Sequence, residues 1–219
     1  MISAALVVFD LDGTLIDSSL DLANAVNAVL ADLGAAPLPV SAVVSMVGDG
    51  ARALVRRALK ASGLRPDLSD ALDRFLAHYN AHLLDHTRLY AGMADVLSGL
   101  DGRLPMAVLT NKPADATEKI LAGLHVRQCF RSVIGGDSTF GRKPEPAALL
   151  HLAAVAGVDP EHLLLVGDSP VDLATARNAG ARICLARYGF GYRFTPNDFR
   201  GDELFIDAPE QLAGILNRA

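Results

Sequence analysis

The chain has 219 residues, 51% of them hydrophobic and 21% charged, which is enough to bury one full domain and to leave material for a second, smaller one. Its formal net charge is −5, from 20 Lys and Arg against 25 Asp and Glu, which argues against nucleic acid or an anionic membrane as a partner. No stretch approaches the ~20 apolar residues of a membrane span, and the two cysteines, Cys129 and Cys184, lie outside any CxxC pattern.

Neither the cysteines nor the N-terminal segment indicates export. Two cysteines are too few for a disulfide framework, and the apolar N-terminal run has no basic flank and no small-residue cleavage site. We therefore expect a cytoplasmic protein, either a monomer or a homodimer.

Five apolar runs predict a parallel sheet. The first, residues 4–9, is apolar on both faces, as in a central strand of such a sheet. Similar runs follow at residues 106–110, 132–135, 163–167 and 182–186. Helical patterns at residues 114–124, 146–156 and 169–179 separate the later runs. This alternation predicts βαβ units and an open parallel α/β sheet.

Residues 17–88 interrupt the alternation and contain no convincing strand. An apolar stripe at helical spacing follows Ser18 and Ser19, either of which can act as its N-cap. Further helical patterns cover residues 51–61 and 70–84, the second with Ser69 as its expected N-cap. Because this insertion directly follows the first strand, we expect an all-helical cap domain, residues 17–88, over an α/β core formed by residues 1–16 and 89–219.

Two carboxylates, Asp10 and Asp12, follow the first predicted strand, and Gly13 allows a sharp turn after them. Ligands of open α/β sheets bind beyond the carboxyl ends of the strands, so both side chains can face one crevice. One carboxylate could bind a metal and attack, while the other handles protons. A DxD pattern alone fits an ordinary strand-to-loop turn equally well, because Asp and Gly are common turn residues.

A second pair of carboxylates strengthens the case for a site. Asp168 follows the apolar run at residues 163–167, and Asp172 lies one helical turn beyond it. Asp10 and Asp168 on neighbouring strand ends make a hard-oxygen site suited to Mg²⁺.

Two more polar segments complete the set. Thr110, Asn111 and Lys112 end one strand and supply a hydroxyl and backbone N–H groups, while Lys143 lies in a proline-rigid turn. Four polar strand ends in one sheet favour a catalytic site over coincidence.

The strings DLDGTLIDS, LTNK, KPEP and GDSPVD, in this order, resemble the four motifs of the haloacid dehalogenase superfamily. The resemblance covers nearly the whole chain and implies a Rossmann-like core that carries out phosphoryl transfer. It implies Asp10 as the nucleophile, which forms an aspartyl-phosphate, and Asp12 as the group that protonates the leaving alcohol and then activates water. Thr110 and Lys143 would hold the phosphoryl oxygens.

The same resemblance implies the ligands of the metal. Mg²⁺ would bind the side chains of Asp10 and Asp168 and the backbone carbonyl of Asp12. Asp172 would support the metal or orient Lys143.

The inserted helices resemble the α-helical cap of the phosphoglycolate phosphatase group, through segments such as VGDGA and LVRRAL. Gly48 and Gly50 allow close backbone approach, and the N–H groups of a helix that starts near residue 51 can receive a carboxylate. The expected substrate-binding residues are Asn111, Gly48, Gly50 and Arg52, with Arg52 as the candidate partner of a glycolate carboxylate. A Gly-rich segment at residues 188–192 is interpreted as an ordinary loop after the fifth strand.

The favoured hypothesis is a phosphatase that acts on a small phosphorylated metabolite, 2-phosphoglycolate first among them. Three alternatives stay open. The chain could hydrolyse a sugar phosphate or pyrophosphate, or it could be a phosphosugar mutase of the β-phosphoglucomutase type with the same two aspartates. It could also be a catalytically inactive binding or regulatory protein, because a fold does not fix a function.

Overall fold

The computed structural model describes residues 4–216, and its main feature is a parallel sheet. Its strands are β1 (Leu6–Phe9), β4 (Met106–Leu109), β5 (Ser132–Ile134), β6 (Leu163–Gly167), β7 (Arg182–Ala186) and β8 (Leu204–Ile206). Two short strands, β2 (Ile16–Asp17) and β3 (Arg88–Leu89), pair outside this sheet. The predicted open parallel sheet is confirmed. β8 was not predicted, because a three-residue strand leaves little pattern in the sequence.

Over the described residues the strand order is β5-β4-β1-β6-β7-β8, and every neighbouring pair is parallel. The chain leaves β1 for β4 and β5 on one side and then returns to β6, β7 and β8 on the other. The direction of winding therefore reverses at β1, and a crevice opens at its carboxyl end, where open α/β sheets bind ligands. Asp10 is the residue that directly follows β1.

Helices surround the sheet and fill the segment between β2 and β3. They are α1 (Ser19–Asp32), α2 (Val40–Val44), α3 (Ala51–Ala61), α4 (Leu68–Ala81), α5 (Met93–Leu100), α6 (Ala114–Gly123), α7 (Ala147–Ala156), α8 (Pro170–Ala179) and α9 (Leu212–Ile215). Within residues 4–216, every helix falls short of the length and apolarity that crossing a bilayer requires.

The two faces of the sheet pack into separate apolar clusters. Val7 and Phe9 point into a cluster that also takes side chains from α5, α6 and α9, whereas Leu6 and Val8 point into one shared with α7 and α8. Alternate residues of β1 are therefore buried on opposite faces, which explains why the run is apolar throughout rather than alternating.

The four helices α1–α4 lie between β2 and β3, and their apolar side chains, including Leu54 and Phe75, continue the first of these clusters. We propose that residues 17–88 form a cap, and that the described residues on either side of them form the core. The observed α3 has the predicted bounds. The N-cap of α4 was predicted wrongly: Asp67, not Ser69, caps it, since the Asp67 carboxylate accepts hydrogen bonds from the N–H groups of Ser69 (2.8 Å) and Asp70 (3.0 Å).

A buried aspartate fastens the exit of the cap to its entrance. Where the chain leaves the core and returns to it, β2 and β3 pair antiparallel, with Ile16 opposite Leu89. Asp21, in the first turn of α1 and only 1% exposed, accepts hydrogen bonds from the N–H of His86 (3.0 Å) and from both the N–H and the hydroxyl of Thr87 (each 2.8 Å). The two connections are thereby held side by side.

We expect Asp21→Ala to lower the free energy of unfolding by about 3 kcal/mol, because it leaves buried donors at residues 86 and 87 without an acceptor. Urea unfolding measures this loss. The matched control is Asp70→Ala, which removes an exposed pair with Arg74 and should cost less than about 0.5 kcal/mol. Equal losses in the two variants would show that Asp21 is not a structural anchor.

Candidate active site

The polar strand ends meet at one edge of the sheet. Asp10 follows β1, Thr110 follows β4 and Asp168 follows β6, and these three strands are neighbours in the sheet. Parallel strands have their carboxyl ends on the same side, so all three side chains line one cavity, which Asp12 also lines. The structure thus brings together the four strand-end residues that the sequence singled out for this edge.

Three buried carboxylates lie together at this edge of the sheet, and two of them, Asp10 and Asp168, line the cavity. Asp10, Asp168 and Asp172 can each offer one oxygen so that the three oxygens lie within 4.8 Å of one another. Burial raises the pKa of Asp10 to about 6, opposed by the nearby Lys143 ammonium. Burial, together with the negative charges of Asp172 and Asp10, raises the pKa of Asp168 well above its usual range. Without a cation, this group of carboxylates is electrostatically unfavourable.

Lys143 supplies a positive charge beside these carboxylates. Its Nζ lies 2.8 Å from Asp10 Oδ1 and 2.6 Å from Asp172 Oδ1, and its side chain is 2% exposed. Burial alone would lower the pKa of Lys143, but Asp10 and Asp172 outweigh it and raise the pKa above its usual value. The approach of Nζ to Asp10 is poorly aligned, so within residues 4–216 Asp10 Oδ1 lacks a well-oriented hydrogen-bond donor. An unsatisfied buried oxygen among hard donors fits a divalent cation such as Mg²⁺.

Asp172 belongs to the capping box of α8 in addition to the carboxylate group. It is the third residue of α8, and its Oδ2 accepts hydrogen bonds from the N–H (3.0 Å) and the hydroxyl (2.6 Å) of Ser169, the N-cap of that helix. The capping box fixes one oxygen of Asp172 and leaves the other facing Lys143. This geometry supports the expected orientation of Lys143 by Asp172.

Thr110 and Asn111 occupy the end of β4 with different partners. Thr110 is buried, and its hydroxyl accepts a hydrogen bond from the N–H of Lys112 at 3.2 Å, which leaves the hydroxyl proton free to be donated. The protein uses both amide protons of Asn111 and one lone pair of its oxygen: Nδ2 donates to the carbonyls of Lys143 and Gly48, and Oδ1 accepts from the N–H of Lys143. Although it lines the cavity, Asn111 therefore ties the Lys143 turn to the cap.

Lys112 is a site residue whose side chain the sequence analysis did not single out. Its Nζ lies 2.8 Å from both carboxylate oxygens of Asp12, and the hydroxyl of Ser18 donates to Asp12 Oδ1 at 2.5 Å. Ser18 stands at the N-cap position of α1 but makes no capping bond, so the predicted capping role is wrong. One sequence signal could have identified it: Lys112 follows Thr110 by two residues, at the end of a strand that neighbours the one before Asp10 and Asp12.

The Gly-rich segment after β7 belongs to the site, which corrects its interpretation as an ordinary loop. The N–H of Gly191 donates to Asp168 Oδ2 at 2.7 Å. A Cβ atom on Gly189 would lie 2.3 Å from the carbonyl oxygen of Gly13, and one on Gly13 would lie 2.1 Å from Asp168 Oδ2. The two glycines let three backbone segments converge on one carboxylate, because any side chain there would collide with it.

On the cap side, the cavity is mainly apolar and small. Gly48 and Gly50 line it, as does Ala51 in the first turn of α3. The cavity volume is about 60 Å³. Arg52 is exposed and is not among the residues that line the cavity. Asp49, in the same loop, forms an ion pair with Arg57.

Comparison with known proteins agrees with this geometry. Residues 7–186 match the family described as haloacid dehalogenase-like hydrolase. A phosphoglycolate phosphatase from Rhodospirillum rubrum is 43% identical over 192 residues, which cover 84% of this chain and 80% of the relative. One from Chromobacterium violaceum is 40% identical over 215 residues, covering 96% and 95%. A crystal structure of a predicted phosphoglycolate phosphatase from Haemophilus somnus has a TM-score of 0.91 at 30% identity and covers 98% of this chain and 99% of its own.

The buried carboxylates predict a pH-dependent stability of the metal-free protein. Folding raises the pKa of Asp10 from 3.8 to about 6, so the folded state binds this proton more tightly than the unfolded state does. Stability from this group is therefore lost as the pH rises from about 4 to about 6, by up to about 3 kcal/mol. We expect Asp10→Asn to gain stability relative to wild type over that range when urea unfolding is followed with a chelator present.

Adding Mg²⁺ above pH 6 should narrow the difference in free energy of unfolding between Asp10→Asn and wild type, because a bound cation stabilises the ionised carboxylates of the wild type. The control is Asp70→Asn, at an exposed aspartate, whose stability relative to wild type should change little over the same range. If the difference in free energy of unfolding between Asp10→Asn and wild type stayed constant from pH 4 to pH 7, that result would contradict the electrostatic account of the site.

Proposed function

Because this chain belongs to the haloacid dehalogenase-like hydrolase family and is a phosphoric monoester hydrolase, we propose that it hydrolyses 2-phosphoglycolate through an aspartyl-phosphate on Asp10 with Mg²⁺ as its metal. The observation that carries the proposal is the position of Asp10. It lies at the end of the central strand, within a group of carboxylates, and one of its buried oxygens lacks a well-oriented donor among the residues that the structure describes.

We assign the metal ligands to Asp10, Asp168 and the backbone carbonyl of Asp12, with Asp172 behind them. A bound Mg²⁺ would supply charge neutralisation, which lets an ionised carboxylate approach a phosphate dianion. Four hard oxygen atoms at one edge of the sheet suit that ion, which prefers carboxylate and carbonyl ligands.

The reaction follows from the roles of two aspartates. A carboxylate oxygen of Asp10 forms a bond to phosphorus while the bond from phosphorus to the ester oxygen breaks, and Asp12 gives its proton to the departing glycolate oxygen. Asp12 then takes a proton from water, whose oxygen attacks the phosphorus and releases inorganic phosphate and the free Asp10 carboxylate. At the end of the cycle Asp12 is protonated again and Asp10 is again a free carboxylate.

Thr110 and Lys143 hold the phosphoryl oxygens in this proposal. The Thr110 hydroxyl has a proton to donate, and the Lys143 ammonium lies within 2.8 Å of the attacking carboxylate. Negative charge spreads over the equatorial oxygens of the phosphoryl group during transfer, and these two donors would stabilise it there.

The small cavity and the first turn of α3 support a short, carboxylated leaving group. Backbone N–H groups near Gly48 and Gly50, where α3 has no side-chain cap, would receive the carboxylate, and Asn111 would hold that loop in place. Arg52 lies in the same turn but outside the cavity, so we propose that it contributes through its charge rather than through a direct contact.

We also propose that the enzyme acts in the cytoplasm, where reduced thiols persist. Cys129 and Cys184 are both free, and Cys184 is buried.

The substrate is tested with a panel of phosphate esters in Mg²⁺, compared by kcat/KM. We expect 2-phosphoglycolate to exceed sugar phosphates, pyrophosphate and p-nitrophenyl phosphate, with release of inorganic phosphate and without an isomerised sugar phosphate. Asp10→Asn should lose far more than tenfold in turnover, which corresponds to much more than ~1.4 kcal/mol of barrier. A sugar phosphate at the top of the panel would contradict the assigned substrate while leaving the chemistry intact.

Arg52→Ala tests how the cap recognises the carboxylate. A lost direct charge-assisted bond would raise KM about tenfold or more, whereas an exposed charge acting at a distance is worth about 0.2–1 kcal/mol. We therefore expect a rise of less than about fivefold in the KM for 2-phosphoglycolate, and none for p-nitrophenyl phosphate. Arg56→Ala, one turn further along α3 and also exposed, is the matched control. A tenfold rise in Arg52→Ala alone would contradict a long-range role and indicate a direct contact.

A further inference from the structure

Lys112 is a buried cation with a complete set of acceptors. Its side chain is 5% exposed, and its Nζ contacts both carboxylate oxygens of Asp12 and the hydroxyl of Tyr79, each at 2.8 Å. An ammonium has three protons, so these three acceptors use all of its donors. Burial alone would lower the pKa of Lys112, but the Asp12 carboxylate raises it above its usual value, so Lys112 keeps its positive charge.

Tyr79 brings the cap into this ion pair. It belongs to α4, and its ring stacks on Phe75 with the centroids 5.6 Å apart. Lys112 Nζ also lies 4.7 Å from the centre of the Tyr79 ring, a distance suited to a cation–π contact. The lysine therefore spans from a core carboxylate, whose side chain is 13% exposed, to a buried cap side chain.

The surroundings of Asp12 leave one oxygen for chemistry. A carboxylate has about four lone-pair sites; Lys112 occupies one on each oxygen, and the Ser18 hydroxyl occupies a second on Oδ1. The remaining site is on Oδ2, and Asp12 lines the cavity. Ser18 and Tyr79 both lie in the segment that we assign to the cap. One of the two groups that bond Asp12, Ser18, and one of the acceptors that hold the other, Lys112, therefore depend on where the cap sits.

We propose that Lys112 is a positioning residue that aims Oδ2 of Asp12 at the reacting oxygens, and that Tyr79 makes this alignment depend on a closed cap. The inference rests on the proposed function, because it assigns Asp12 the two proton transfers of phosphate-ester hydrolysis. To those proton transfers it adds a positioning residue, Lys112, and a dependence on the position of the cap through Tyr79. Breaking a buried pair by removing one partner leaves the other charge uncompensated, so Asp12 should lose its orientation when Lys112 is removed.

The first test is Lys112→Met, assayed with 2-phosphoglycolate and with p-nitrophenyl phosphate. General acid–base catalysis contributes about 10²–10⁴-fold, so we expect kcat to fall about a hundredfold or more for both esters. KM for 2-phosphoglycolate should change less than threefold, because both of its proton transfers are slowed, whereas KM for the aryl ester should fall together with kcat once hydrolysis of the phosphoenzyme limits turnover. The aryl ester needs little help from an acid, but its phosphoenzyme still needs Asp12 as a base. A burst of nitrophenol approaching one equivalent per active site, followed by slow turnover, should therefore appear in Lys112→Met.

The matched control is Lys119→Met, which removes a Lys–Asp pair of similar length, 2.7 Å to Asp115, from the exposed face of α6. It should retain wild-type kinetics. Lys112→Arg keeps the charge and should retain more activity than Lys112→Met. A loss of folding stability alone would lower the active fraction equally for both esters and would give no burst.

The second test is a double-mutant cycle with Tyr79→Phe, which removes the hydroxyl and keeps the stacked ring. We expect kcat to fall about three- to tenfold in the wild-type background and less than twofold in Lys112→Met, because the hydroxyl acts through the lysine. Equal effects in both backgrounds would overturn the coupling to the cap. Should Lys112→Met not fold, Tyr79→Phe in wild type and in Lys112→Arg decides the same point.

Three results would overturn the inference. A Lys112→Met enzyme with wild-type kcat contradicts it directly, and a raised KM at unchanged kcat would make Lys112 a substrate-binding group instead. If the wild type hydrolyses neither ester, the proposed function itself is overturned. If the wild type is active and Lys112→Met has the same kcat, only the inference is overturned.

Discussion

The concentration of buried negative charge at the end of β1 is the constraint on which the rest of the site depends. Asp10, Asp168 and Asp172 place three carboxylate oxygens within 4.8 Å of one another, and burial there raises the pKa values of Asp10 and Asp168. A nucleophilic carboxylate has to be ionised, so opposite charge has to be provided in the same small volume. Lys143 supplies part of it, and a divalent cation bound to the remaining oxygens would supply the rest. With such a cation bound, the same arrangement would attract a phosphate group, because the positive charges that stabilise the nucleophile would also stabilise its target.

The fold concentrates these groups through its winding rather than through local sequence. The reversal of strand order at β1 opens a crevice there, and the strands on both sides, β4 and β6, end at the same edge. Glycines then allow neighbouring backbone to approach Asp168, while the capping box of α8 fixes Oδ2 of Asp172 and leaves Oδ1 facing Lys143. On the opposite side of the cavity, Asn111 and Lys112 hold the cap through Gly48 and Tyr79. Two successive residues after β4 thus connect the chemistry of the core to the position of the cap.

The sequence was sufficient for features carried by continuous patterns. β1 and β6 are unbroken apolar runs buried on both faces, and the sequence alone places the aspartates directly after them at one edge of the sheet. It was insufficient where contacts join distant segments. The pairing of Lys112 with Asp12 and Tyr79 requires the cap to be folded over the core, and the contact of Gly191 with Asp168 requires the course of an irregular loop. Arg52 is a second such case: the sequence analysis named it as the candidate partner of a glycolate carboxylate, but its side chain is exposed and is not among the residues that line the cavity.

The central claim is that Asp10 carries the phosphoryl group during turnover, and trapping that intermediate tests it most directly. Wild-type enzyme mixed with excess 2-phosphoglycolate and Mg²⁺, quenched in acid within a fraction of a turnover and digested, can be analysed by mass spectrometry for a phosphorylated peptide. The account predicts one acid-stable, hydroxylamine-sensitive phosphopeptide that contains Asp10. The phosphopeptide should be absent from Asp10→Asn and more abundant when Asp12 is replaced by Asn, provided that an aryl phosphate is used to allow the first step. Rapid turnover by the wild type with no phosphorylated peptide, or with the phosphoryl group on another residue, would contradict the account.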